Sequence, residues 1–311
     1  MILIPKYKDM RTKTPLEIEM GIKGEIRLIL RNPDESVVQD TGWFHNLFTD
    51  VGMTNIGIAV AGGWSNYFHI GQSSAAPAFN QTQLAAWSGS DNSIIDNQKT
   101  NAGTPNYEII ETVGKRFEIG NGTGPVREVG IGAVATNDNL SVRALVTPEI
   151  NKGAEQVLDM FYRITAIPSL IDTVGVVSIF GADYDYILRL SEVESNISNF
   201  GTWGPTGWAP TYEDDIGLVT SRPTTIISGT STVLQDQSSG LGFSDWTVPY
   251  GLGQGNAVGG IRSALSQFNF ATGTTYAGVQ AQFNRVSDDA KIEKNNTRTL
   301  AIDWRLSWTR V

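Results

Sequence analysis

His45 and His69 are the only imidazoles in this 311-residue chain, and cysteine is absent. Nucleophilic chemistry of the Ser-His-Asp kind must therefore recruit one of these two rings. No G-x-S-x-G elbow occurs in the sequence, and the histidine spacing fits no H-E-x-x-H metal motif. His45 follows Trp43-Phe44 at a strand end, and His69 lies between Phe68 and Ile70. Both read as structural or partner-facing groups. Paired carboxylates offer a second route, acid–base attack on a glycoside. Asp183 and Asp185 stand at i, i+2 and share one face of a strand. Glu213, Asp214 and Asp215 fall in a loop, as do Asp288 and Asp289. Acidic loops usually form solvated turns. Asp214 and Asp215 suit calcium by ligand type, but without EF-hand spacing. The glycine runs at 120–124 and 251–255 lack dinucleotide spacing and a Walker lysine. The expectation is a protein that is no enzyme and has no cofactor and no metal.

What remains is recognition. Net charge is −9, from 23 basic and 32 acidic residues, which argues against a nucleic-acid surface. Residues 1–15 run the other way: Lys6, Lys8, Arg11 and Lys13 stand against Asp9 alone, +3 in all. Such an arm suits docking on an acidic partner. Trp64, Trp87, Trp203, Trp208 and Trp246 fall in or beside loops, where aromatics anchor interfaces or stack on sugars. The candidate partner contacts are Lys6, Lys8, Arg11, Lys13, Trp203 and Trp208. The charged start is no secretory signal, and no run reaches the ~20 apolar residues of a membrane span.

The elements that position these groups are strands. Ile22, Gly24, Ile26, Leu28 and Leu30 alternate with Lys23, Glu25, Arg27 and Arg31, with Ile29 the exception, which predicts a half-buried strand. Asn32-Pro33-Asp34-Glu35 supplies a turn, and Val37-Val38 begins the return. Thr49-Asp50 caps a short helix ending at Gly62-Gly63. Residues 72–105 read as irregular, with a helical turn over 81–87. Strands resume over 106–120, 126–134, 140–146 and 157–167, and 174–180 with 184–193 forms a hairpin. Further strands follow at 224–228, 231–235, 245–249, 261–271 and 275–285. Leu300, Ile302, Trp304, Leu306 and Trp308 form one face of the last. The predicted fold is all-β: two β-sandwich-like domains with one short helix and an extended N-terminal arm. Its divisions are an arm over 1–20, a sandwich over 21–194, a Gly/Pro-rich linker over 195–215 and a second β domain over 216–311.

Residues 23–46, KGEIRLILRNPDESVVQDTGWFHN, resemble the opening of virion structural proteins of tailed bacteriophages, of the tail-fibre or tail-associated type. Trp43, Phe44, Asn46, Leu47 and Gly52 fit the closure of that motif. Similar segments follow in order: His69-Ile70-Gly71 with Ala75-Ala76-Pro77, Thr82 and Leu84; Arg127-Glu128-Val129-Gly130-Ile131-Gly132; and Ser141 to Val146, with Val142 inserted. The series ends with Gln156 to Tyr162 and Trp304 to Trp308, while 86–105 and 195–260 lie outside it. The resemblance implies a virion component, assembled in the host cytoplasm and bound to other tail or portal-proximal proteins. It implies a homo-oligomer, with a trimer favoured by analogy with fibres, and transfers no catalytic residue. A capsid-decorating or head-fibre protein, and a module that binds host surface glycans, are the alternative expectations.

Overall fold

The computed structural model describes residues 15–57, 64–102, 108–169, 171–194, 238–240, 242–253, 260–269 and 276–311. In chain order these form β1 (Leu16–Arg31), β2 (Val37–Asp40), β3 (Phe44–His45), β4 (Leu47–Phe48), α1 (Asp50–Gly57), β5 (Tyr67–Gly71), β6 (Trp87–Asp91), β7 (Ile94–Ala102), β8 (Glu108–Phe117) and β9 (Gly124–Gly132). There follow β10 (Leu140–Lys152), β11 (Val157–Pro168), β12 (Thr173–Ile179), β13 (Ala182–Glu194), β14 (Ser238–Gly240), β15 (Phe243–Tyr250), β16 (Ser263–Asn269), β17 (Tyr276–Arg285) and β18 (Leu300–Arg310). The fold is all-β and sandwich-like, with one short helix among the described residues.

β1 organises it. Its even-numbered residues from Leu16 to Leu30 are buried, as the alternation predicts, and Ile29 is buried as well. One edge of β1 pairs with β11; the other takes β18 in parallel, then β3 and β2 antiparallel. The large sheet runs β14-β15-β18-β1-β11-β8-β7. A second sheet, β4-β10-β9-β5-β6, packs on it, and the interior between them holds Ile26, Leu28, Met160 and Tyr162 against Phe68, Val129, Ile131 and Val142. Tyr162 meets both Trp64 and Phe68 edge-on, with ring centroids 6.0 and 6.5 Å apart. A third sheet, β12-β13-β17-β16, buries Tyr184, Leu188, Ala281 and Phe283 on one face.

α1 seals one end. Thr49 Oγ1 accepts from the Gly52 amide at 2.9 Å, which caps the helix as expected. Gly52 is required for contact: a Cβ there would sit 2.0 Å from the Ser141 carbonyl oxygen. Trp308 Nε1 donates to the Met53 carbonyl at 2.9 Å, and Arg310 donates to Phe48 O and Asp50 Oδ1.

Three expectations need correction. The arm does not extend to residue 20, because Leu16, Ile18 and Met20 are core residues of β1. The stretch 72–105, expected to be irregular, supplies β6 and β7 over Trp87–Asp91 and Ile94–Ala102, strands at sheet edges, where one face and one backbone edge meet water. The division at 195–215 does not separate the sheets, since β18 lies between β15 and β1, and β17 pairs with β13. The expected strands at 224–228 and 231–235 lie outside the described residues.

Candidate functional site

His69 is fully buried on β5 and His45 is exposed on β3. Neither ring nitrogen of His69 has a hydrogen-bond partner of ordinary geometry. Burial first, and Lys115 second, push the imidazole down to about 4, against a weaker opposing pull from the Val134 backbone. Lys115 is itself buried and held at about 8; it donates to the backbone oxygens of Ser65 and Asn66 and lies 4.8 Å from the Phe68 ring centroid. This is a buried cation beside a buried neutral base.

The carboxylate pairs separate clearly. Asp183 and Asp185 share the outward face of β13, opposite Ser178 and Val176. Asp288 accepts from Nη2 and Nε of Arg285 at 2.5 and 2.6 Å, which pulls its carboxyl down to about 2, while Asp289 adopts a left-handed φ of 58° beside Arg262. That pair builds a turn. Glu213, Asp214 and Asp215 lie outside the described residues, as do Lys6, Lys8, Arg11, Lys13, Trp203 and Trp208. No group of three or more acidic or histidine side chains able to hold a metal ion occurs among the described residues.

The most elaborate polar construction was not signalled by spacing. Glu128 on β9 and Arg143 on β10 form an ion pair at 2.7 Å with both side chains wholly buried. Arg143 also donates to Ala75 O, Ala76 O and Gln81 Oε1, at 2.8, 3.1 and 2.7 Å. Glu128 accepts from the amides of Ser73, Ala85 and Ala86, at 3.3, 3.1 and 2.7 Å. Between them the two side chains hold both ends of the 72–86 loop. Asn137 fastens the same loop by exchanging two hydrogen bonds with the backbone of Leu84. A buried charge is tolerable only when fully partnered, and here the loop supplies the partners. Both strands carry other charges, Arg127 on β9 and Glu149 and Lys152 on β10, so the sequence does not single this pair out.

That loop presents Phe79, half exposed, with the Arg310 guanidinium 4.4 Å from its ring centroid. Beside it lies a cleft of about 260 Å³ lined by Lys23, His45, Asn46, Leu47, Phe79 and Arg310. Trp43, from the same closing motif, carries the Arg163 guanidinium at 4.4 Å. The outward face of the large sheet is occupied by ion pairs. Asp159 joins Arg31 at 2.8 Å and Arg116 at 2.6 Å, Arg116 reaches on to Glu35, and Glu25 takes Arg163. Of the loop tryptophans, Trp64 is a core residue packed against Tyr162, and Trp87 is half exposed on β6. Apolar exposure concentrates instead on strand edges and their flanks: Ile94 and Ile95 on β7, and Ile171, Val174 and Val176 at β12.

The arrangement holds a loop and positions the surface around it. No family model matches this chain, and neither the curated proteins nor the solved structures contain a match to it.

Proposed function

We propose that the chain is a structural component of a tailed-bacteriophage particle, tail-associated as a fibre, collar or adaptor element, and that it acts by protein–protein contact rather than catalysis. It assembles in the host cytoplasm as a homo-oligomer and contacts other virion proteins. The observation that carries this is the contrast between sheet faces closed by ion pairs and core packing, and the uncharged edge strand β12, whose Val174 and Val176 are exposed. Open edges suit joining to neighbours through main-chain hydrogen bonds. The ordered series of motifs from Lys23 to Trp308 supports the same reading. Immunogold labelling of purified particles tests it. Label at the tail supports the tail assignment, label on the head transfers the chain to the capsid-decorating class, and absence from particles defeats the proposal.

A second reading is favoured by Phe79 and the adjoining cleft, which offer an aromatic ring and two cations, Lys23 and Arg310, to a host glycan. Binding to purified envelope glycan that is lost in Phe79→Ala, Trp203→Ala or Trp208→Ala supports it.

A further inference from the structure

Strands at sheet edges carry unpaired amides and carbonyls, and proteins blunt them with charge, bulges, proline or brevity. Most edges here are blunted. β14 has three residues and β4 has two. β6 and β7 each show a register shift, and β7 carries Asp96 and Lys99. β16 has no charge, bulge or proline either, but its run SALSQFN is polar where that of β12, TVGVVSI, is apolar.

β12 has none of these devices. It pairs with β13 in unbroken register over all seven residues, and its other edge has no strand among the described residues. No ionisable or proline residue occurs from Thr173 to Ala182. Val174 is 70% exposed and Val176 59%. The charge at its entrance is cancelled, because Asp172 takes the Arg189 fork at 2.6 and 2.9 Å.

We propose that β12 is the contact between two copies of this chain, joined antiparallel about a twofold axis at Gly175 to give a continuous eight-stranded sheet. The sequence around the axis, Thr173-Val174-Gly175-Val176-Val177, is nearly the same read in either direction. Pairing about Gly175 sets Val174 opposite Val176 of the other copy and Thr173 opposite its Val177, β-branched against β-branched at each position. Ile187, opposite Val174 on β13, extends the apolar strip inward. Gly175 lies flat beneath Tyr186, where a Cβ would come within 2.6 Å of the ring.

Electrostatics selects a second copy as the occupant. At net −9, two copies repel across most faces, and β12 is a stretch where no like charges meet. Beyond Asp172, which Arg189 neutralises, the next carboxylate on that face is Asp185, one strand inward. Three strand spacings and a two-residue stagger would hold it about 16 Å from its symmetry mate, beyond the ~8 Å screening length of physiological salt. The pairing rests on the edge itself and serves the assembly role proposed above. It is read out on purified protein, so its failure is distinct from a failure to find the chain in particles.

Sedimentation equilibrium across the micromolar range tests it. The wild type is expected to dimerise, and Val176→Lys to be monomeric with an unchanged far-ultraviolet circular dichroism spectrum. The chain has no cysteine, so register can be read directly. Mixed Val174→Cys and Val176→Cys proteins should cross-link to each other under oxidation, at least tenfold more than either alone. A monomeric or trimeric wild type, or a dimer that survives Val176→Lys, overturns the proposal.

Discussion

Glu128 and Arg143 meet at 2.7 Å without contact with water, and beyond that ion pair their side chains bond to Ser73, Ala75, Ala76, Gln81, Ala85 and Ala86 of the 72–86 loop. The pair therefore converts strand register into loop position. Arg143→Ala leaves a buried carboxylate uncompensated and should cost about 3–5 kcal/mol. Urea unfolding measures the loss, and limited proteolysis should show new cleavage within 72–86 before global unfolding. Glu128→Gln keeps the shape and removes the charge, and should lose less than the alanine variant.

Acid should weaken the fold through His69. Its folded pKa of about 4 lies below the unfolded value of 6.5, so the unfolded chain binds more protons between the two. Stability therefore rises with pH across that window and falls as pH drops from 6.5 towards 4, by up to roughly 3 kcal/mol. Lys115, held at about 8, adds a second rise between 8 and 10.5. Unfolding free energies at closely spaced pH values check both. His69→Gln should flatten the acid limb and leave the alkaline one.

Asp159 is a single buried carboxylate shared by two arginines, Arg31 and Arg116. Asp159→Asn removes the charge that both forks address and should destabilise by about 2–4 kcal/mol, with the loss reduced in an Arg116→Met background. A double-mutant cycle on chemical denaturation gives the coupling directly.

Gly52→Ala tests the seat of α1. The new Cβ would stand 2.0 Å from the Ser141 carbonyl oxygen, so helix and strand must part. The expected cost is about 1–3 kcal/mol, seen as a lower melting temperature, despite the better helix propensity of alanine.

Much of this architecture is legible in residue order. β1, β18 and the β12–β13 hairpin announce themselves by alternation or turn chemistry, and Thr49 by its capping position. β6 and β7 are hidden because an edge strand meets water on too many sides to show a period of two; Ser88, Ser90, Asn97 and Gln98 look like loop. The Glu128–Arg143 clamp is hidden for a different reason. Its partners are backbone groups some 40 to 70 residues away, and no local pattern encodes a distant carbonyl. The parallel meeting of β1 with β18 is likewise a property of the finished sheet.

That last pairing has a kinetic consequence. Leu16 to Ile22 must wait for Trp304 to Arg310, so part of the central strand stays uncovered until those residues, almost 300 positions later, have been synthesised. Pairing across so long a loop is slow, and an apolar strand left waiting invites wrong partners. Yield of the native protein should therefore be limited by how long the nascent chain is shielded.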